Sequence, residues 1–426
     1  MAEKKFYYGW WIVLVAFLSV AVTYGTKGVF GVVQIQMLDD LHWSRASIAG
    51  AMSANMLVYA VAAPFVGRYM DKVGIKVVLM MGGFLTGLAF LLVTTTTSPL
   101  QFYIYYGLLL GLANTGMGMI PGPTAVSRWF VKKRGRALSI ALVASPLGMA
   151  IFTFLARDLL KTIGWKGLFI VMGLTSWVLV IVPAYLWMRS NPEDMGLLPD
   201  GATEKEEPKE STTASQPAPS LLQEEEWTLV KLLTSPKALC LLFGYFAMAA
   251  NGWAQQIHQV PHFIQLGLSK DAAIVALGMN MGLSVLSMLL LPSLSDFMKR
   301  NYAVAISLGL QAAGTFLLTQ ATNITTVYVF VVIMGISYMG SYGLFSALAA
   351  DTFGRKSLGT VSGVMAMLGA GGAAVGIYAG GAFYDAVGSY NLLWNIGTAV
   401  LVIGAGLSLL LGKFKSNAVP AAVKAQ

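Results

Sequence analysis

The chain has 426 residues, of which 56% are hydrophobic and only 11% are charged. Soluble domains carry about 25% charged residues, so this composition excludes an ordinary soluble enzyme. A single cysteine, Cys240, excludes an intrachain disulfide and a cysteine metal cluster, and three scattered histidines predict no metal site. The net charge of +9 does not indicate nucleic-acid binding, because the cations lie between long apolar runs and mark the sidedness of loops.

Twelve apolar runs of helical length follow one another in two groups of six. A helix that crosses a bilayer needs about 20 mostly apolar residues. The first group covers about 10–36, 46–67, 76–97, 100–127, 137–160 and 166–188. The second group covers about 238–263, 271–295, 302–320, 326–350, 359–384 and 391–412. The runs predict an all-α polytopic membrane protein with twelve transmembrane helices.

Between the two groups lies an acidic segment that is rich in Pro, Ser and Thr. Such a composition cannot bury a core, so we expect a flexible cytoplasmic linker at 190–235. The predicted domains are therefore an N-terminal six-helix bundle at 1–189 and a C-terminal six-helix bundle at 236–413, followed by a cytoplasmic tail at 414–426.

Most of the 28 lysines and arginines fall in loops on one side of the predicted spans. The other side holds Arg45, Arg157, Lys161, Lys166 and Lys270. Because cytoplasmic loops carry the excess of Lys and Arg, we expect both termini in the cytoplasm and a multi-pass protein of a bacterial inner membrane.

The two groups of six repeat each other at an offset of about 224 residues. GLANTG at 111–116 recurs as GISYMG at 335–340, and Asp71 recurs as Asp296. Parallel halves of this kind are one layout of secondary transporters and place the binding site near the midplane between them.

Four segments carry a resemblance to a known family. GRYMDKVGIK at 67–76 has the pattern GxxxD(R/K)xG(R/K), YYGWW at 7–11 opens the first span, SRWFVKKRGRALSIALVASPLG at 127–148 enters the fifth, and RSNPEDMGLLPDG at 189–201 follows the sixth. Over nearly its whole length the chain resembles the major facilitator superfamily, and within it the monocarboxylate porter and oxalate:formate antiporter group. The resemblance implies two six-helix bundles that transport small organic anions by alternating access, often with protons or in exchange.

One feature departs from that family. Many members carry an arginine in the eighth span, which is regarded as the carboxylate anchor, but residues 282–296 contain none. This departure favours the alternative of an exporter of neutral or hydrophobic compounds.

Lys27 is the charged residue in the interior of a predicted span. At 1.5 Å per residue it lies roughly 25 Å beyond Trp10, within a hydrocarbon layer of about 30 Å. A cation there costs several kcal/mol unless it is paired, and no predicted span holds an Asp or Glu in its interior. We expect Lys27 to bind the anionic substrate with Tyr24 one turn away; the alternative is an ammonium that snorkels to the outer surface.

Lys27 also predicts a way to couple transport to protons. Removal from water favours a neutral amine, whereas a nearby carboxylate favours the ammonium. The substrate anion and one proton would then bind together, although the same site could run anion exchange without protons.

Further polar residues are candidates for the same site. Asn251, Gln255 and His258 share one face of the seventh span, and the repeat offset pairs Asn251 with Lys27. His258 could bind a carboxylate or carry a proton, or it could bond backbone freed by Pro261. The substrate-site prediction is completed by residues of the fourth and tenth spans, whose alternative role is helix-to-helix hydrogen bonding: Asn114, Tyr338 and Tyr342.

Charged residues at the cytoplasmic ends of helices are candidates for gating, because charge pairs and helix dipoles there can hold one access state closed. The alternative is a plain topology signal. The gating candidates are Arg68, Asp71, Lys72, Arg128, Arg136 and Asp296.

Together these features predict a secondary active transporter, most simply a proton-coupled symporter of lactate-like monocarboxylates. An organic anion exchanger and an exporter of neutral or hydrophobic compounds are the alternatives. We expect no enzyme, no catalytic residue and no cofactor, since the chain shows no nucleophile-base pair, metal-ligand set or nucleotide motif. The expected partners are an organic anion, protons and the lipid bilayer, not nucleic acid, and we expect a monomer.

Overall fold

A computed structural model describes residues 7–201, 227–321, 323–354 and 357–412. Within these ranges the regular structure is helical, and nine helices are long and apolar enough to cross a membrane. One of them, Arg134–Trp187, has 54 residues and breaks at Gly164, where φ is 64°. It therefore forms two spans, and 99–129 and Pro236–Gln265 supply two more.

The predicted fold class of twelve transmembrane helices is confirmed. Pro236–Gln265 falls short of an apolar span by composition because it carries a series of Asn, Gln and His side chains. In chain order the spans run Gly9–Leu41, Arg45–Val73, Ile75–Val93, 99–129, 134–163, 165–187, Pro236–Gln265, Lys270–Leu294, Arg300–Thr319, Ile324–Phe353, Leu358–Val387 and Asn391–Leu411.

Side-chain caps and left-handed glycines set the ends of several spans. Ser44 and Ser269 accept a backbone N–H at the starts of the second and eighth spans, which satisfies one of the free donors of a helix N-terminus. Gly388 has φ 73° between the last two spans, a conformation that suits a residue without Cβ. These short turns make consecutive spans antiparallel neighbours.

The fourth span is irregular where it meets the third. It contains a π-helix at Tyr103–Leu109 and a turn at 116–120 before Pro121 restarts the helix. A Cβ on Gly82 of the third span would lie 2.7 Å from the backbone of Gly116, so the two backbones touch only because both residues are glycines. This close approach packs the fourth span directly against the third.

Residues at both ends of the predicted linker at 190–235 make specific contacts in the structure. Asn191 and Asp194 form a capping box that starts a short helical turn, while Trp227 and Leu232 are buried on the second bundle. Residues 202–226 of the predicted linker and the predicted tail at 414–426 lie outside the described residues.

Asp200 joins the segment after the sixth span to the loop before the fifth. Its carboxylate accepts backbone N–H groups of Val131, Lys132 and Lys133 at 2.9, 2.7 and 3.1 Å. Burial by itself raises the pKa of this carboxyl, but the three N–H donors and the charge of Lys133 outweigh it and hold the pKa below its usual value.

The two bundles meet on the face opposite the basic loops; we call the two sides the basic face and the opposite face. Asp385 of the eleventh span accepts the backbone N–H groups of Arg45 and Ala46 at 3.1 and 2.8 Å. Lys161 pairs with Asp271 at 2.5 Å, again between bundles. These contacts close the opposite face.

The second span shows where the bundles separate. Near its start, Ala49 and Met52 are fully buried, whereas Val61 and Phe65 further along are 68% and 66% exposed. The same helix is therefore packed against the eleventh span toward the opposite face and free of it toward the basic face. The space between the bundles opens to the basic face.

Candidate substrate site

A cavity of about 410 Å³ lies between the two bundles. Residues of spans one, two, four and five line one wall, and residues of spans seven, eight, ten and eleven line the other. The lining comprises Tyr24, Lys27, Met56, Tyr59, Met119, Leu142, Ser145, Tyr245, Trp253, Met288, Met339, Tyr342, Gly343, Ser346, Ala366, Gly369, Ala370 and Ala373.

Lys27 supplies the cavity's formal charge. It is 5% exposed, so it does not snorkel to the outer surface, and its Nζ lies 5.3, 4.9 and 5.9 Å from the ring centroids of Tyr24, Tyr59 and Trp253. Among the described residues it has neither a carboxylate partner nor a hydrogen bond. In the described part of the chain, the contacts of the Lys27 ammonium are therefore with aromatic ring faces.

Small residues on the first span explain why Lys27 faces the cavity. A Cβ on Gly28 would lie 3.2 Å from Cβ of Met149, and one on Gly25 would overlap the ring of Phe152. The absence of a side chain at both glycines therefore allows the first span to pack closely against the fifth. Further along, Gly31 packs on the backbone of Gln256 and closes the cavity toward the opposite face.

Two tyrosines, Tyr245 and Tyr342, belong to the wall across from Lys27, and a third, Tyr338, packs behind them. The Tyr342 hydroxyl lies 3.0 Å from that of Tyr338, and the rings of Tyr245 and Tyr342 meet edge to face with centroids 5.9 Å apart. Tyr338 is 2% exposed and lies behind the lining, where Gly252 leaves room for its ring. The structure thus brings Lys27, Tyr24 and Tyr342 to one cavity and keeps Tyr338 one layer back.

The predicted polar stripe of the seventh span faces its own bundle, not the cavity. Asn251 and Gln255 both donate to Thr315 Oγ1 of the ninth span, at 3.0 and 2.8 Å. His258 is fully buried, and its Nε2 lies 2.8 Å from the carbonyl oxygen of Ile377. Periodicity places these residues on one side of the helix, but packing turns that side toward the ninth and eleventh spans.

Asn114 also lies away from the cavity lining. Its amide donates to Asn55 Oδ1 at 3.4 Å, and Asn55 in turn donates to the carbonyl oxygen of Tyr106 at 2.9 Å. This chain of bonds joins the second and fourth spans. Asn114 therefore forms a helix-to-helix hydrogen bond, the alternative to its predicted role in the substrate site.

Several residues of the site were not predicted from the sequence. Trp253 lies two residues from Asn251, on the side of the seventh span that does reach the cavity, and Tyr245 lies two turns earlier. Tyr59 is the nearest ring to the Lys27 amine. A search for aromatic residues at helical spacing in the paired spans could have found Tyr245 and Trp253, whereas nothing in the sequence distinguishes Tyr59.

The predicted gating residues lie on the basic face, and the ion pair that they form among the described residues joins two helices of one bundle. Asp71 pairs with Arg128 at 3.2 Å, and both belong to the first bundle. The side chain of Asp296 lies outside the described residues, and the other candidates are exposed: Arg68, Lys72 and Arg136. Among the described residues, the ion pairs and carboxylate contacts that join the two bundles lie on the opposite face.

Comparison with known proteins gives the chain its family. The model of the family described as Major Facilitator Superfamily matches residues 15–377 and 263–422. Monocarboxylate transporter 2 of Homo sapiens is 23% identical over 420 residues, which are 95% of this chain and 85% of that protein. The oxalate:formate antiporter of Oxalobacter formigenes is 22% identical and covers 95% of this chain and 91% of its own length.

A solved structure shares the fold. A bacterial homolog of the human lysosomal transporter Spinster, in an inward-facing and unoccupied conformation, superposes with a TM-score of 0.74 at 15% identity. The superposition covers 97% of this chain and 98% of the other.

Proposed function

Because the chain belongs to the Major Facilitator Superfamily, we propose that it is a secondary active transporter of small organic monocarboxylates, lactate-like acids among them, which enter with protons by alternating access. The observation that carries the proposal is the position of Lys27, a cation in the central cavity that lacks a carboxylate partner among the described residues.

The electrostatics of the site favour an anionic guest. Each aromatic ring near the amine contributes about 0.5–2 kcal/mol of cation-π attraction. Opposite charges 4 Å apart attract by about 4 kcal/mol at the effective dielectric of a protein. A bound carboxylate would therefore stabilise Lys27 more than any single ring does, and it would supply the negative charge that the lining lacks.

Proton coupling follows from the same charge balance. Without a bound anion the ammonium of Lys27 faces aromatic rings and is largely removed from water, whereas a bound carboxylate would favour the protonated amine more strongly. Anion and proton would then bind together and leave together, and transport would be electroneutral. His258 has no such role in the proposal, because it is fully buried behind the cavity.

The opening to the basic face supports an alternating mechanism. With the positive-inside orientation the basic face is cytoplasmic, so the structure corresponds to a cavity that exchanges substrate with the cytoplasm. We propose that both termini are cytoplasmic and that the protein lies in a bacterial inner membrane. The relatives that transport monocarboxylates or oxalate and formate, by their names, are consistent with this substrate class.

The test is uptake of labelled monocarboxylates into proteoliposomes under an imposed pH gradient. Lys27→Gln should lower uptake at least about 100-fold, because it removes an ion pair of about 3–4 kcal/mol. The matched control is Lys166→Gln, whose ammonium lies over Trp165 on the opposite face and far from the cavity lining.

Three results of the uptake assay would change the proposal. Unchanged uptake by Lys27→Gln would refute the role of the lysine. Uptake that depends on internal anion and not on the pH gradient would replace symport with exchange. If no acid is taken up while a neutral apolar compound moves, the alternative of an exporter of neutral compounds replaces the proposal.

A further inference from the structure

The size and chemistry of the cavity indicate what kind of group the substrate carries besides its carboxylate. This inference rests on the proposed carboxylate transport. A cavity of about 410 Å³ falls within the range of about 300–1,000 Å³ that suits drug-sized ligands. A three-carbon acid held at Lys27 would leave most of the opposite wall in contact with water, so the apolar surface of that wall would gain nothing from binding.

The lining beyond Lys27 is aromatic and thioether-rich. Five aromatic rings face the cavity, and four methionines, Met56, Met119, Met288 and Met339, fill the space between them. Methionine adapts to irregular shapes and makes favourable sulfur contacts with aromatic rings. Six lining residues carry a hydroxyl group, and three of these groups are already bonded within the protein: those of Ser145, Tyr342 and Ser346. This wall offers ring faces and sulfur atoms more than hydrogen bonds.

The formal charge of the lining lies on the wall of the first bundle, and the lining residues of the second bundle are uncharged. Lys27, Tyr24 and Tyr59 belong to the first bundle, whereas Tyr245 and Tyr342 belong to the second. A guest that satisfies both walls has an anionic end and an apolar end.

Glycine and alanine shape the slot beside the tyrosines. A Cβ on Gly369 would lie 2.6 Å from the ring of Tyr245, so this glycine lets the ring lie flat along the eleventh span. Ala366 and Ala370 continue the same surface on the same helix. Small side chains here leave space next to an aromatic wall, which is the shape that a planar ring needs.

We propose that the cavity selects monocarboxylates that carry an aromatic group, with the carboxylate at Lys27 and the ring between the Tyr245–Tyr342 wall and the methionines. Edge-to-face contacts of the kind already seen between Tyr245 and Tyr342 would hold the ring.

The test compares 3-phenyllactate with lactate, two acids with the same 2-hydroxy acid head that differ by one phenyl group. Both compete against labelled 3-phenyllactate in proteoliposomes that contain the full chain. Burial of a phenyl group predicts that 3-phenyllactate inhibits at concentrations at least about 10-fold lower than lactate. 3-Phenylpropanol, which keeps the ring and lacks the carboxylate, should not compete.

A pair of variants tests the position of the ring. Ala366→Phe fills the slot beside the tyrosines and should bring the ratio of the two inhibition constants close to one. Met367→Phe, on the neighbouring residue, which is 52% exposed and lies outside the lining, should leave the ratio unchanged.

The results separate this inference from the proposed function. If lactate inhibits as well as 3-phenyllactate or better, in a manner that depends on Lys27, the aromatic inference fails and carboxylate transport stands. If 3-phenylpropanol competes as well as the acid, the cavity is an apolar site and both fail. An unchanged ratio in Ala366→Phe would place the ring elsewhere and overturn the proposed location.

Discussion

Asp385 holds the opposite face closed, and its replacement should shift the protein toward the state that is open on that face. The carboxylate accepts two backbone N–H groups at the first turn of the second span, while the Arg45 guanidinium lies 3.9 Å from the Tyr384 ring centroid and donates to the Tyr390 hydroxyl at 2.8 Å. These contacts join the two bundles, so all of them must break when the opposite face opens.

The magnitude follows from the bonds that Asp385→Asn weakens. A hydrogen bond to a charged group is worth about 1.5–3 kcal/mol and a neutral one about 0.5–1.5. A negative charge at a helix N-terminus adds about 0.3–1 kcal/mol at an exposed site. Because Asp385 is exposed and screened by solvent, we expect a net loss of about 1–2 kcal/mol, which is about a 5- to 30-fold shift in the conformational equilibrium.

Spin-label distances measure this shift directly. In a Cys240→Ala background, labels at Ile163 and Val387 report the separation of the bundles on the opposite face, since both side chains are exposed there. Asp385→Asn should add a longer distance to this distribution. A second pair of labels, at Val131 and Met298, should show a matching shorter distance on the basic face.

A matched control and a refuting result complete the design. Asp158→Asn makes the same chemical change on the same face, but Asp158 pairs only with Arg157 of its own helix among the ion pairs of the described residues, so the distances should not change. If Asp385→Asn and the wild type gave equal distance distributions, the role of Asp385 in closing the opposite face would be refuted.

Two further predictions concern stability. Thr315→Val leaves two buried amides of the seventh span without their acceptor and should lower the free energy of unfolding by about 2 kcal/mol, measured by thermal unfolding in detergent. Thr319→Val should have little effect, because the Thr319 hydroxyl makes exposed bonds to Phe316 and Gln320 at the end of the same helix. Asp200→Asn should lower the free energy of unfolding by about 1 kcal/mol at pH 7. Because the fold lowers the pKa of the Asp200 carboxyl, this difference from wild type should persist above about pH 4. It should vanish as the pH falls through the lowered pKa, where the wild-type carboxyl becomes protonated. Equal melting points of Thr315→Val and Thr319→Val, or of Asp200→Asn and wild type at pH 7, would contradict the role given to Thr315 or to Asp200.

The amino-acid sequence by itself determined the fold, because the bilayer demands about 20 apolar residues for each crossing and the chain supplies twelve such runs. It also singled out Lys27, since the cost of a cation in hydrocarbon does not depend on which helices surround it. The apolar runs and this buried charge are local properties of the chain, and both can be read without knowing any neighbour.

Only the tertiary structure decided which helix faces meet. Periodicity correctly grouped Asn251 and Gln255 on one side of the seventh span, but that side contacts Thr315, while Trp253 of the same helix reaches the cavity. The rotation of a helix about its axis is set by how its small and large residues pack on its neighbours, and that packing involves residues distant in sequence. For the same reason the closed face is defined by Asp385 and the start of the second span, two segments that the sequence gives no reason to pair.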